Sequence, residues 1–268
     1  MSPFLLLAAL VPAVFLMVQV YRLDRIEKEP PGLLVRLVLF GALSGLIAGA
    51  VEGALTRLLA LVLDERSTVY LVIENFCIVA LVEESCKRWP VMKLAWKSPA
   101  FDYRFDAVVY CVFSALGFAA LENILYVAEF GLSVAVSRAL LSVPGHCFFA
   151  VYMGIYLGEA KTAERAMQRY FIELPEQTPQ QYLRASLLVP ALLHGFWDYS
   201  LCVGGGLMTA LFYLFVLTFF IDAYRKLRFA AGSDERLWQN VPTRCNLGVI
   251  DKKDNGPAGI FGEVLAEN

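Results

Sequence analysis

The sequence contains few histidines, no paired cysteine motif and almost no net charge. Only His146 and His194 occur in 268 residues, and no HExxH motif places two histidines one helical turn apart. The six cysteines form no CxxC pair, so no disulfide framework is expected. The net charge of −2 offers no basic surface for nucleic acid, and a nucleic-acid partner is therefore not expected.

Apolar residues dominate the composition. They make up 58% of the chain, and the mean hydropathy is +0.58, which is more than a soluble core requires. Seven segments are long and apolar enough to cross a bilayer as helices: residues 3–20, 33–62, 68–94, 105–128, 134–158, 183–202 and 206–227. We therefore predict an all-α, polytopic helix bundle with about seven transmembrane helices, located in the cell membrane as a multi-pass protein.

Basic residues predict the orientation of the bundle. Arg22, Arg25 and Lys28 lie between the first two spans, whereas the next connection carries only Arg66, and this alternation continues along the chain. Under the positive-inside rule, the N-terminus is outside and the C-terminus is cytoplasmic. The predicted regions are a bundle over 1–227, which contains a cytoplasmic link over 159–182 with a helical charged start, and a polar cytoplasmic tail over 228–268.

Several ionisable residues lie inside the apolar spans. Glu83 and Glu84 are adjacent in LVEESCK, and His146 and His194 also lie within spans. A charged group at the centre of a membrane helix costs on the order of 3 kcal/mol, so such a cluster indicates a buried chemical site. Glu83, His146 and His194 each lie roughly 16–18 Å from the predicted cytoplasmic end of a span. We therefore expect these three residues to share one water-accessible cavity.

Helical spacing adds two pairs to this cluster. Residues four apart lie on the same helix face, which pairs Glu83 with Lys87 and His194 with Asp198. We expect Lys87 to keep a carboxylate ionised, and Asp198 to orient His194 or to bind substrate. Two other glutamates within spans have no motif around them and are expected to be structural or to line the cavity: Glu52 and Glu74.

Four motifs in a fixed order carry a family resemblance. They are EESCK at 83–87, the FxxxEN core of the segment 105–126, HCFFAVYMGIYLG at 146–158 and LLHGFWD at 192–198. Over about residues 75–205 the chain resembles the PrsW family of intramembrane proteases, which is related to the CAAX prenyl endopeptidases and the bacteriocin-processing proteins. The prenyl endopeptidases have a histidine where this chain has a glutamate in FxxxEN, so the catalytic role of that histidine does not transfer.

The resemblance implies a helical membrane hydrolase that acts within the lipid bilayer. Its substrate would be a single-pass membrane protein, such as an anti-sigma factor, or a peptide that needs maturation. The implied active residues are Glu83, Glu84, Glu122, His146 and His194, with Asp198 in the last motif.

Peptide hydrolysis requires water, a base and a group that stabilises the developing oxyanion. In a metal-free mechanism, which we favour, Glu83 or Glu84 is the general base, assisted by His146. His194 and Asn123 would then donate to the oxyanion. The expected contacts to the substrate or oxyanion are Asn123 and Lys87.

A zinc mechanism is the second candidate. His146, His194 and one glutamate, Glu83, would ligate Zn²⁺ and leave a fourth position for water, while the other glutamate acts as base. The sequence alone leaves the metal requirement open, and no cofactor is certain.

A transporter or channel is the alternative function. Buried carboxylates and histidines also serve as ion or proton sites in membrane proteins. Such proteins often contain inverted repeats, and no convincing internal repeat is present in this chain. We therefore predict an intramembrane endopeptidase, and a catalytically inactive scaffold is the least favoured alternative because the Glu, Glu, His and His set is retained.

Overall fold

The computed structural model describes residues 2–170 and 178–237, although it leaves the side chains of 168–170 undescribed. Its regular secondary structure is helical, and an isolated bridge joins Tyr103 to Arg236. The α-helices are α1 (Pro3–Leu23), α2 (Pro31–Ala60), α3 (Thr68–Val72), α4 (Ala80–Pro90), α5 (Asp106–Phe130), α6 (Leu132–Ser137), α7 (Val143–Tyr170), α8 (Pro179–Val203) and α9 (Gly206–Gly232). The all-α prediction is confirmed.

Wider π-helical turns join some of these helices. Ile73–Val79 connects α3 to α4, Val91–Ala95 continues α4, and Arg138–Ser142 connects α6 to α7. The third predicted span is therefore one helical element from residue 68 to residue 95. Single π-helical turns are found often at functional sites, and two of these segments adjoin the cluster of ionisable residues.

The described helices form a multi-pass membrane bundle. Six helical stretches are long and apolar enough to cross a membrane: Pro3–Leu23, Pro31–Ala60, Asp106–Phe130, Leu132–Met167, Pro179–Val203 and Gly206–Gly232. The element from 68 to 95 is not among them, because its α-helical segments are short and α4 carries the charged cluster. The bundle thus contains these six spans and one polar helical element. Its orientation in the membrane stays a prediction.

Helix α5 is the centre of the bundle, since 67% of its most apolar window is buried. It packs most extensively against α2, α7 and α1. Small residues allow the backbones of α2 and α5 to touch: a Cβ atom at Gly41 would lie 2.1 Å from the Ser114 carbonyl oxygen, and one at Gly117 would lie 2.2 Å from that of Val38. This close packing fixes the helix that carries the FxxxEN motif.

Two helices extend beyond the predicted spans. Helix α7 continues to Tyr170, through the charged start of the predicted link, and α9 continues to Gly232, past the predicted start of the tail. The chain after α9 then returns to the bundle, where the Leu237 N–H donates to the Asp102 carbonyl oxygen at 2.9 Å. The remainder of the predicted link over 171–177 and of the tail over 238–268 lies outside the described residues.

Candidate active site

A cavity of about 810 Å³ lies inside the bundle. Its lining comes from helices α2, α4, α5, α6, α7, α8 and α9 and from two of the π-helical segments, 73–79 and 138–142. The predicted site residues that line it are Glu83, Glu122, His146, His194 and Asp198. The three residues expected to share a cavity, on three different helices, are therefore brought together.

Lys87 is the centre of the polar network behind this cavity. Its side chain is fully buried, and its Nζ donates to Glu83 Oε2 at 2.8 Å, to Glu84 Oε1 at 2.7 Å and to His146 Nδ1 at 2.9 Å. An ammonium group has three donors, and these contacts use all of them. The i,i+3 and i,i+4 spacing on α4 brings both glutamates to this cation, as the sequence predicted for the pair with Glu83.

The contact with Lys87 determines which nitrogen of His146 carries the proton. An ammonium group can only donate, so His146 Nδ1 accepts and Nε2 carries the hydrogen of a neutral ring. Nε2 lies 2.9 Å from Glu122 Oε2 and donates to it. Both nitrogens of His146 are thus engaged by protein groups on α4 and α5.

His194 is held between carboxylates. Its Nδ1 lies 3.0 Å from Glu84 Oε1, and its Nε2 lies 3.2 Å from Asp198 Oδ2. Since both partners are acceptors, this arrangement favours an imidazolium that donates from both nitrogens. The ring also stacks on Phe149, with centroids 5.0 Å apart, which fixes its plane. Asp198 therefore contacts His194 as the i,i+4 spacing suggested.

Glu122 and its neighbour Asn123 have different surroundings. Glu122 Oε2 also pairs with Arg138 Nη2 at 2.9 Å, at the cavity wall. Asn123 is fully buried, and its amide donates to the Ala9 carbonyl oxygen at 2.7 Å while its Oδ1 accepts from Arg138 Nε at 2.9 Å. Asn123 does not line the cavity. The structure thus does not bring Asn123 to the position expected of an oxyanion donor.

Arg138 is the member of this network that sequence reasoning missed. It lies in the π-helical segment before α7, outside the four sequence motifs. Its position between Glu122 and Asn123 links the cavity wall to α1 through the contact of Asn123 with Ala9. Glu122 and Asn123 are two consecutive polar residues within the apolar helix α5. This pair was the sequence signal that could have indicated a buried cation beside α5.

Glu52 and Glu74 both line the same cavity. Tyr70 donates its hydroxyl to Glu74 Oε1 at 3.3 Å. Glu52 Oε1 is buried and has no hydrogen-bond partner in the part of the chain that the structure describes. The expectation that these residues are structural or line the cavity agrees with this placement.

Glu83, Glu84 and His194 are grouped closely enough to hold a metal ion. One ligand atom from each lies within 4.8 Å of the others, and Glu84 Oε2 is buried without a hydrogen-bond partner in the described chain. Carboxylate oxygen and imidazole nitrogen are common zinc ligands, so this donor set fits Zn²⁺. The group differs from the expected set of His146, His194 and Glu83, since Glu84 takes the place of His146, whose nitrogens face Lys87 and Glu122.

Comparison with known proteins agrees with this architecture. The sequence profile of the family described as PrsW family intramembrane metalloprotease matches residues 29–223. The chain belongs to the PrsW family. It is therefore an intramembrane protease, a hydrolase of peptide bonds, and the transporter alternative is not favoured.

Individual relatives extend over most of the chain. The Protease PrsW of Geobacillus kaustophilus is 35% identical over 231 residues, which cover 85% of this chain and 92% of the relative. The Protease PrsW of Oceanobacillus iheyensis is 32% identical over 224 residues, which cover 84% of this chain and 95% of the relative. The Protease PrsW of Clostridioides difficile is 31% identical over 203 residues, which cover 74% and 79%. No solved structure matches the chain.

Proposed function

We propose that this PrsW-family protein hydrolyses a peptide bond of a membrane protein with a water molecule that Glu83 activates. The observation that carries this proposal is the different exposure of the paired glutamates. Glu83 lines the cavity and retains 8% of its surface, whereas Glu84 is fully buried. Glu83 Oε2 bonds to Lys87, and its other oxygen, which has no hydrogen-bond partner among the described residues, remains to receive a proton from water.

Glu84 acts in this mechanism through His194. Its Oε1 accepts from both Lys87 and His194 Nδ1, so it holds the imidazole in a fixed orientation. His194 Nε2 then points towards Asp198 Oδ2 and the cavity. The positive charge of this imidazolium would stabilise the oxyanion that develops as water attacks the substrate carbonyl.

His146, Glu122 and Lys87 orient the catalytic groups and balance their charge. Lys87 compensates the adjacent glutamates, and Glu122 holds the ring of His146 against this lysine. Lys87, Arg138 and His194 thus compensate three of the four carboxylates that the network pairs with them, which are Glu83, Glu84, Glu122 and Asp198. Because charges in a low-dielectric site interact strongly, this balance allows ionised groups to persist within a membrane bundle.

The same residues would provide a zinc site. Glu83, Glu84 and a deprotonated, neutral His194 would hold the ion, which when bound would polarise the scissile carbonyl and lower the pKa of a water ligand. Under that alternative, His146 and Glu122 would still orient the network around Lys87. The cavity, the polarity of its inner wall and the role of Lys87 are common to both alternatives.

The cavity suits an extended segment of a membrane-associated polypeptide. Its volume of about 810 Å³ is within the range of sites that enclose several substrate groups. Aromatic side chains, including Phe118, Trp197 and Phe212, form apolar walls around the polar residues. A single-pass membrane protein, such as an anti-sigma factor, or a membrane-associated peptide would contact both the apolar walls and the polar residues.

The first test compares the wild type with Glu83→Gln. The two proteins would be made at matched levels in membranes, and new protein termini would be identified by mass spectrometry. We expect cleavage by Glu83→Gln to fall by roughly 10²–10⁴-fold, the usual contribution of a general base. The matched control is Glu129→Gln, which changes an exposed glutamate on α5 and should leave cleavage unchanged.

Either of two results would contradict the proposal: equal fragment sets for the wild type and a well-folded Glu83→Gln, or equal losses in Glu83→Gln and Glu129→Gln. The same purified proteins distinguish the two mechanisms when their zinc content is measured. Stoichiometric zinc that is lost in Glu84→Gln would support the metal alternative. Full cleavage by protein that contains no zinc would support direct activation by Glu83.

A further inference from the structure

A second cavity, of about 380 Å³, lies at the end of the bundle where α5 begins. Helices α2 and α8 terminate at the opposite end. Its walls come from the beginning of α5, the middle of α7 and the end of α9. It shares no lining residue with the cavity that contains Glu83. The positive-inside rule assigns this end of the bundle to the cytoplasmic side.

The second cavity has an excess of positive charge. Arg104 is paired with Glu159 at 3.1 Å, so these two lining residues neutralise each other. Lys226 makes only a loose pair with Asp222, at 3.7 Å, in which both side chains are about half exposed. The side chain of Arg225 has no hydrogen bond or ion pair within residues 2–170 and 178–237, although it lines the cavity. An anion bound here would satisfy both Arg225 and Lys226.

Apolar groups lie directly beside these cations. Val108 and Ile155 form part of the cavity wall, and Phe229 is 74% exposed at the end of α9. Tyr224, five residues before Phe229, is 53% exposed. Aromatic residues next to basic residues at the end of a membrane helix are typical of the level of lipid headgroups. The site thus presents a cationic part for a headgroup and an apolar part for an acyl chain.

We propose that the cavity between α5, α7 and α9 binds an anionic phospholipid, whose phosphate contacts Arg225 and Lys226 and whose acyl chain lies along Phe229 and Ile155. A zwitterionic lipid would bind more weakly, because its headgroup cannot compensate the surplus charge. A soluble phosphate would use the cations but would leave the apolar wall uncovered. Bound lipid would join the ends of three helices outside the catalytic cavity.

The test measures lipid binding to the purified full-length chain by native mass spectrometry after delipidation in detergent. Phosphatidylglycerol and phosphatidylcholine with the same acyl chains would be titrated separately. We expect the wild type to prefer phosphatidylglycerol by roughly tenfold or more, because each basic residue near the surface attracts the anionic headgroup. The double variant Arg225→Gln, Lys226→Gln should lose this preference while its thermal unfolding temperature is unchanged, since both side chains are exposed.

The matched control is the double variant Arg22→Gln, Arg25→Gln, which removes the same charge from exposed positions at the same end of the bundle. It should keep the preference of the wild type. Equal binding of the two lipids, or an equal loss in both double variants, would overturn the proposal. Displacement of phosphatidylglycerol by glycerol 3-phosphate at equal concentration would identify a soluble phosphate as the ligand, and would also overturn it.

Discussion

Two buried polar clusters in this bundle manage their charge in opposite ways. In the catalytic cluster, Lys87 lies within 2.8 Å of an oxygen of Glu83 and of Glu84. In the second cluster, at the end where α5 begins, Glu29 contacts the Tyr110 hydroxyl and the Asp106 carboxyl group. No lysine or arginine of the described chain forms an ion pair with Glu29. The carboxylates of the first cluster are paired with cations, whereas Glu29 in the second is not.

This difference separates a site that must stay ionised from one that takes up a proton. Glu29 is buried without a cationic partner among the described residues, and burial raises its pKa to about 7. The glutamates beside Lys87 can both remain ionised, as a base in hydrolysis must be. The cations of the catalytic cluster are therefore a requirement of its chemistry, and the variants below alter one cluster at a time.

Removal of the central cation should have the largest effect. Lys87→Met would leave the carboxylates of Glu83 and Glu84 buried without compensation, a change that typically costs about 3–5 kcal/mol. We expect a lower yield of folded protein, a lower unfolding temperature in detergent and no cleavage. The measurements are thermal unfolding followed by tryptophan fluorescence and the analysis of cleaved termini.

The control for this variant is Lys93→Met, which removes an exposed lysine from the same helical element. It should unfold like the wild type. Adding Glu84→Gln to Lys87→Met should restore part of the lost stability, because one uncompensated charge disappears. An unfolding temperature that is unchanged in Lys87→Met would mean that the carboxylates are not compensated by this cation.

Asn123 defines the boundary of the catalytic cluster, and its removal should have an intermediate effect. Asn123→Ala removes the hydrogen bonds to Ala9 and Arg138, which should cost about 1–3 kcal/mol of stability. Cleavage per folded molecule should fall by less than roughly tenfold, because the loss of a true oxyanion donor lowers turnover by about 10²–10³-fold. The measurement is single-turnover cleavage, normalised to the amount of folded protein. A decrease in turnover of about 10²–10³-fold would indicate that Asn123 is an oxyanion donor after all.

Sequence patterns predicted where the helices lie along the chain better than which residues of different helices are in contact. Apolar length located six of the seven predicted spans, and helical spacing placed Glu83 beside Lys87 and His194 beside Asp198. The contact of Lys87 with His146 joins residues 59 positions apart, for which local spacing gives no signal. Helices that are apolar on every side have no amphipathic pattern, so the rotation of α5 could not be derived.

That missing rotation explains the outcomes at Glu122 and Asn123. Both residues lie in the FxxxEN motif, yet consecutive residues on a helix point in directions about 100° apart. Glu122 lines the cavity, whereas Asn123 points towards α1, where it bonds to Ala9. The π-helical segments, including the one that carries Arg138, likewise have no recognisable sequence signal. Their contribution to the site became apparent only in three dimensions.

The second cluster should show the smallest effect, through the pH dependence of stability. Burial is the main cause that raises the pKa of Glu29 from its usual 4.5 to about 7, and Asp24 adds to this increase, while the hydrogen bonds with Tyr110 and Asp106 oppose it. Between these two values the folded protein retains a proton that the unfolded chain has lost. The free energy of unfolding must therefore decrease as the pH rises from about 4.5 through 7.

Glu29→Gln should reduce this slope and raise the unfolding temperature at pH 8 by roughly 2–4 °C, which corresponds to about 1 kcal/mol. Some slope should persist, because burial also raises the pKa of Asp24, to about 6. Glu27→Gln, an exposed change in the same loop, should follow the wild-type curve. If Glu29→Gln also followed the wild-type curve, the proton that Glu29 retains in the folded protein would not contribute to stability. The two clusters would then differ in their contacts with cations, but this difference would not affect how stability depends on pH.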